Sequence, residues 1–158
     1  MDPNELTRAF GLLGASFVVG VVSGLLPVVN TEAFLLAVAV LAPPASLPGT
    51  VVLTTAGQMA AKSLLYLSGS GAVRLGVLER PRARLVELRE RLERRRTRTA
   101  ALVFASASTG FPPFYLVSVA AGAMRWPLPA FLLVGGSGRL LRFAGIAALP
   151  GLVEVLAP

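Results

Sequence analysis

The sequence predicts an all-α integral membrane protein: an inverted-topology repeat of two units, each a re-entrant helical hairpin followed by a transmembrane helix. Composition is the first reason, because 54% of the 158 residues are hydrophobic and the mean hydropathy is +0.72, values that do not suit a soluble domain. The second reason is that long uncharged runs surround a lone carboxylate, Glu32. The third is that prolines interrupt two apolar runs, at Pro27 and at Pro112 and Pro113.

The first unit, about residues 5–70, begins with a helix predicted over residues 5–25. Pro27 interrupts it by removing a backbone donor, and Asn30 and Thr31 are good caps for a new helix that starts near Glu32, in the second half Thr31–Ala42. Both halves are short for a hydrocarbon core of about 30 Å, so we expect a hairpin that enters and leaves on one side, with its apex at Pro27. Backbone opened at that depth must be buried in protein or line a water-filled cavity. One kinked transmembrane helix is the alternative interpretation.

A turn over Pro43–Gly49 leads into a full span predicted over Thr50–Gly69, whose interior carries Gln58 and Lys62. An ionisable group at membrane depth costs roughly 2.5–3.5 kcal/mol on insertion scales, so it normally faces a polar cavity or a partner. Two interpretations of Lys62 follow. Either its aliphatic stem carries the ammonium to the cytoplasmic face, or the ammonium pairs with Glu32.

Nearly all of the net charge of +7 lies in one segment, the linker 71–98, where ten arginines stand against four glutamates. A basic segment between apolar ones is typical of a cytoplasmic loop under the positive-inside rule, which places loop 74–98 in the cytoplasm. Pro81 can open an amphipathic helix that ends near Arg96. The segment has neither interleaved aromatic residues nor a nucleic-acid-binding module, so we expect no nucleic acid as a partner.

The second unit, about residues 99–149, follows the same plan. The uncharged run Thr99–Met124 is broken near its middle at Gly110, Pro112 and Pro113. These three residues are the expected apex of a second hairpin, because a glycine and two successive prolines cannot continue a helix easily.

The last span is predicted over Leu128–Leu149, and Pro150 is expected to end it before a short tail, residues 150–158. Arg139 and Arg142 are three residues apart in this span, which places them on one helix face. Two basic side chains at membrane depth require polar surroundings for the same reason as Lys62.

A weak internal repeat relates the two units. A shift of 81 positions aligns Gly57 with Gly138 and Gln58 with Arg139. If each hairpin returns to the side it left, the linker between the units gives them opposite orientations. Transporters use such inverted repeats, with opposed broken helices that form a site near the middle of the bilayer.

Several chemistries are excluded by composition. The chain has no cysteine and no histidine, which removes thiolate nucleophiles, imidazole bases and the common transition-metal ligands. Glu32 is the one acidic residue at membrane depth, so a hydrolase with paired carboxylates has no second partner. We therefore expect no enzymatic activity, no metal and no cofactor, and one membrane domain over residues 1–158.

The order of these motifs resembles the DedA/VTT superfamily of membrane proteins, in particular its short bacterial YqaA-like branch. The resembling segments are Leu26–Glu32, Gly57-Gln58, Phe111-Pro112, Ala120–Met124 and Gly138–Phe143. The chain departs from larger members of the superfamily at Ser108 and Phe114, where those members carry arginines beside the second proline. It also lacks the acidic residue that the short branch tends to carry near Tyr115.

The resemblance implies a multi-pass protein of the bacterial inner membrane that translocates or scrambles lipids for membrane homeostasis. Membrane lipids are the implied partners, with anionic or polyprenyl-phosphate headgroups as candidates, and a homo-oligomer is a further option. The residues expected to form a polar path for substrate or protons are Asn30, Glu32, Gln58, Lys62, Arg139 and Arg142. Two other functions stay open: a proton-coupled transporter of a small polar solute, and a scaffold that transports nothing.

Overall fold

The apolar runs of the sequence form helices. The computed structural model describes residues 3–26, 29–71 and 96–156. Within these ranges the regular elements are α1 (Pro3–Leu25), α2 (Thr31–Leu41), a short 3-10 helix (Pro44–Ser46), α3 (Leu47–Gly69), α4 (Arg96–Thr109), α5 (Phe114–Ala123) and α6 (Leu128–Leu156). The all-α part of the prediction is confirmed for this described part of the chain.

Among the helices so described, one is long and apolar enough to cross a membrane, namely α6 over Leu128–Val153. Parts of α1, α2 and α5 are apolar but shorter. Helix α3 has the length of a span but does not reach the same hydropathy, because Gln58, Lys62 and several small polar residues lie within it. The expectation of a full span over Thr50–Gly69 is therefore met on length but not on composition.

Glycines allow α1 and α3 to approach each other closely. A Cβ atom at Gly20 would lie 2.4 Å from the carbonyl oxygen of Thr54, and one at Gly24 would lie 2.5 Å from the Cβ atom of Ala61. Small residues of this kind bring helix backbones together in membrane proteins. Since the contacts advance together along both helices, α1 and α3 run parallel.

Helix α6 runs antiparallel to α3. Near the end of α3, the rings of Tyr66 and Phe131 lie 5.3 Å apart between centroids, and the Tyr66 hydroxyl donates to the carbonyl of Trp126. Near the start of α3, Val51 shares a buried cluster with Phe143. These two sets of contacts hold α6 against both ends of α3. The packing places the middle of α6 beside Gln58 and Lys62.

Prolines that were expected to break helices lie within two of them. Helix α6 continues through Pro150 to Leu156, because a proline removes one backbone hydrogen bond without forcing the chain to stop. Helix α3 begins at Leu47, so that Pro48 and Gly49 belong to its first turn instead of a surface turn. A proline is tolerated there since the first backbone donors of a helix have no intrahelical partner.

Both predicted interruptions of the apolar runs are confirmed. Helical structure stops between α1 and α2, and again between α4 and α5, where Gly110 adopts a positive φ of 85°. Pro112 accepts a hydrogen bond from the Ser106 hydroxyl, and Pro113 occupies the N-cap position of α5. Pro27, most of the basic linker and its predicted amphipathic helix lie outside the described residues.

The packing of α1 on α3 predicts different outcomes for two glycines of one helix. Gly20→Ala should lower the free energy of unfolding by about 1–3 kcal/mol, since the new methyl group would meet the rigid backbone of Thr54. Gly14→Ala is the matched control, because no atom of the described residues lies within 4 Å of its added Cβ atom. Denaturant titration of the purified protein in detergent measures both, and equal stability of the two variants would contradict the close approach.

Candidate functional site

The start of α2 carries the acidic member of the site. Asn30 is the N-cap, and its Oδ1 accepts from the backbone nitrogens of Glu32 at 3.0 Å and Ala33 at 3.2 Å. This confirms the predicted cap. Glu32 lies in the first turn, where the positive end of the helix dipole favours a carboxylate.

Arg142 joins the two helix interruptions. Its Nε donates to Oε1 of Glu32 at 2.8 Å, and its Nη2 donates to the same oxygen. Its Nη1 donates to the carbonyl oxygen of Ser108 at 3.1 Å. That carbonyl is in the last turn of α4, where carbonyls have no intrahelical partner. The Arg142 guanidinium of α6 thus donates both to a carboxylate at the start of α2 and to a free carbonyl at the end of α4.

Lys62 has neither of the two positions expected for it. Its Nζ donates to the carbonyl oxygen of Gly24 at 2.7 Å, and the residue is only 6% exposed. The ammonium therefore does not extend to a surface, and the partner of Glu32 is Arg142. Gly24 lies in the last turn of α1, where free carbonyls and the negative end of the helix dipole attract a cation.

Gln58 connects the two sides of the first interruption. Its Nε2 donates to the hydroxyl oxygen of Ser23 at 2.9 Å and to that of Thr31 at 3.0 Å. The Ser23 hydroxyl already donates to the carbonyl of Gly20, so it must accept from Gln58, and this fixes the orientation of the amide. Gln58 and Lys62 both hold the ends of broken helices.

Arg139 differs from the other basic residues of the site because no described residue forms a hydrogen bond or ion pair with it. Its guanidinium carbon lies 5.0 Å from the ring centroid of Phe114 and 5.8 Å from that of Phe143. Such cation–π contacts orient the group and contribute about 0.5–2 kcal/mol. No hydrogen bond or ion pair of Arg139 occurs among the described residues, and its Nε is buried without a partner.

A pocket of about 410 Å³ opens at this point. Its walls bring together the start of α2, the middle of α3 and the middle of α6. The lining residues are Val29, Asn30, Thr31, Glu32, Gln58, Arg139 and Phe143. Four of the six residues predicted for a polar path therefore line one pocket. Arg142 and Lys62 do not line it, but Arg142 contacts the lining residue Glu32.

Some contributors carry no signal that a sequence pattern reveals. Ser23 and the carbonyl of Ser108 are partners only because α3 and α6 pack against those helix ends. Phe114 and Phe143 are ordinary members of apolar helices until Arg139 is placed over both rings. Their roles depend on contacts between residues far apart in the chain.

Comparison with known proteins gives no match: no family model fits the chain, and neither a curated protein nor a solved structure is similar to it.

The pair Glu32–Arg142 predicts a measurable coupling energy. Arg142→Gln and Glu32→Gln should each destabilise the fold by roughly 1–3 kcal/mol, less than a fully buried pair because the Glu32 side chain keeps 42% exposure and that of Arg142 keeps 22%. The double variant should cost less than the sum, because it leaves no charge unpaired. Chemical unfolding of all four proteins completes the cycle, and simple additivity would show that the two residues do not interact.

Proposed function

We propose that this chain is a multi-pass membrane protein of DedA/VTT-like architecture that moves lipids between leaflets through the pocket at its two helix interruptions. The observation that carries the proposal is the Arg139 guanidinium, which lines the pocket without a polar partner among the described residues. An unpaired cation in an apolar helix bundle attracts an anionic group, and lipid phosphates are the anions that a bilayer supplies.

A membrane environment is supported by the apolar outer surface. Large apolar side chains on all six described α-helices are exposed, and extended apolar surface is unusual on a soluble monomer. The most exposed of them within the described residues include Phe10, Val40, Leu41, Leu133, Leu141 and Val155. A bilayer would cover these groups, and the membrane-capable helix α6 carries several of them.

The proposed inverted repeat is supported by equivalent contacts in the two units. Gly57 of α3 receives the backbone of Phe17 in α1, and Gly138 of α6 receives that of Phe104 in α4. One turn beyond Gly138, Arg142 reaches Ser108, one turn beyond Phe104, so α4 and α6 run parallel as α1 and α3 do. The long helices α3 and α6 run in opposite directions.

The proposed first hairpin has similar support. Thr31 at the start of α2 contacts Gln58, whereas Leu35 shares a cluster with Val51, nearer the start of α3. Helix α2 thus runs antiparallel to α3 and to α1, as the two arms of a hairpin must. Gln58 and Arg139, aligned by the internal repeat, both line the pocket.

The roles within the site differ according to the contacts. Arg139 and Glu32 face the pocket and are proposed to contact the headgroup, while Arg142 holds Glu32 in place. Gln58 and Lys62 donate to groups at the interruption between α1 and α2 and are proposed to keep it open. Exposed backbone at membrane depth needs such partners or a water-filled cavity.

Lipid movement is tested with Arg139→Gln in liposomes that contain acyl-chain-labelled phospholipid and an impermeant quencher. Wild type should expose inner-leaflet lipid, and Arg139→Gln should slow this by about tenfold, the loss of one charge-assisted contact. Arg125→Gln is the matched control, because Arg125 is exposed and lies outside the pocket. Wild-type rates equal to those of empty liposomes would exclude lipid scrambling.

Orientation in the membrane is tested with single cysteines, which the absence of native cysteine makes possible. Cysteines replacing Pro44 and Arg125 should react with an impermeant maleimide from opposite sides. Pro44 precedes the start of α3, whereas Arg125 lies at the other end of that helix, beside the Tyr66–Trp126 hydrogen bond. Labelling of both positions from one side would overturn the proposed topology.

A further inference from the structure

Within the described residues, the pocket presents one carboxylate oxygen that accepts no hydrogen bond as well as one guanidinium that has no hydrogen-bond partner. Both hydrogen bonds from Arg142 end on Oε1 of Glu32. Within the described residues Oε2 therefore accepts no hydrogen bond, and the carboxylate side chain keeps 42% exposure. Because Glu32 lines the pocket, this second oxygen is available to a bound molecule.

The cationic group on the same pocket is Arg139. Its position is held by the rings of Phe114 and Phe143, which contribute no hydrogen-bond acceptor. Among the described residues its terminal Nη donors have no acceptor and are left for a bound anion, and a planar guanidinium suits phosphate or carboxylate oxygens. Arg142 does not line the pocket, and both of its hydrogen bonds to Glu32 end on Oε1, so the Oε2 side is left open to the pocket.

From this arrangement we infer that the pocket binds a zwitterion, with its anionic group on Arg139 and its ammonium group on Glu32. A ligand with only a negative charge would satisfy Arg139 but would meet the Glu32 carboxylate as a like charge. A zwitterion pairs both groups at once. The volume of about 410 Å³ is within the usual range of small-ligand sites, roughly 300–1,000 Å³.

This inference rests on the proposed function and sharpens it. In a lipid, the chemistry described is a phosphate diester that carries a primary ammonium, as in a phosphoethanolamine headgroup. A free solute with the same two groups has the same chemistry, and the two sources are separated by the experiment. The remaining polar lining residues, Asn30, Thr31 and Gln58, surround the space between the two charges.

The test compares two acyl-chain-labelled lipids, phosphatidylethanolamine and phosphatidylglycerol, whose headgroups are left unmodified. Wild type should move the ethanolamine lipid about fivefold to tenfold faster, the effect of one charge-assisted hydrogen bond. The double variant Glu32→Gln/Arg142→Gln removes both members of the ion pair and leaves no unpaired charge behind. The ratio of the two rates should fall to about one in this variant whatever its absolute rate, and Arg139→Gln should slow both lipids.

A second measurement separates failure of the inference from failure of lipid transport. Thermal unfolding is followed in detergent with added O-phosphoethanolamine or inorganic phosphate. A shift with phosphoethanolamine that exceeds the shift with phosphate, and that is lost in Arg139→Gln and in the double variant, supports the zwitterion site even if no lipid moves. In that case the substrate would be a free solute with these two groups instead of a lipid.

Two outcomes overturn the inference. The first is lipid movement at equal rates for the two headgroups, with no greater thermal shift from phosphoethanolamine than from phosphate. The second is a preference for the ethanolamine headgroup that persists in the double variant, which would mean that the Glu32 carboxylate does not contact the ammonium. In either case the slower rates of Arg139→Gln would still stand as evidence on lipid transport.

Discussion

The ion pair between Glu32 and Arg142 connects three parts of the chain that are distant in sequence: the start of α2, the end of α4 and the middle of α6. Each interruption of a helix leaves backbone groups without intrahelical partners, and buried polar side chains can bind them. In an apolar bundle these groups require partners, because each unpaired one is costly. Arg142 supplies partners for both interruptions, and the bundle is arranged so that it reaches them.

The first interruption has its own support from α3. Lys62 and Gln58 donate to the carbonyl of Gly24, to Ser23 and to Thr31, so the polar face of α3 binds the ends of both α1 and α2. That support requires α1 to lie close to α3, which the glycines permit. The polar residues of α3 thus have a structural role, and among the described residues that line the pocket Arg139 of α6 is the cation available to a ligand.

Residue types and spacing were sufficient to locate the helices, both interruptions and the cap at Asn30, since these depend on local preferences of proline, glycine and short polar side chains. Local preference was insufficient at Pro150, where the helix continues, and at Pro48, which joins the first turn of α3. The two predicted positions of the Lys62 ammonium were also wrong. Its charge predicted either an ion pair with a carboxylate or a position at the surface. In the structure, the packing of α3 places the ammonium beside a backbone carbonyl at the end of a neighbouring helix, and it donates to that carbonyl.

The sequence by itself determined the all-α class, the helix interruptions and the set of polar residues at apolar depth, because composition and breaking residues act over a few positions. Only the tertiary structure decided which of those residues pair. Arg139 and Arg142 are indistinguishable in sequence, yet one neutralises Glu32 and the other lies over two aromatic rings and faces the pocket. The reason is that pairing depends on distances across α2, α4 and α6, which are set by packing between residues more than a hundred positions apart.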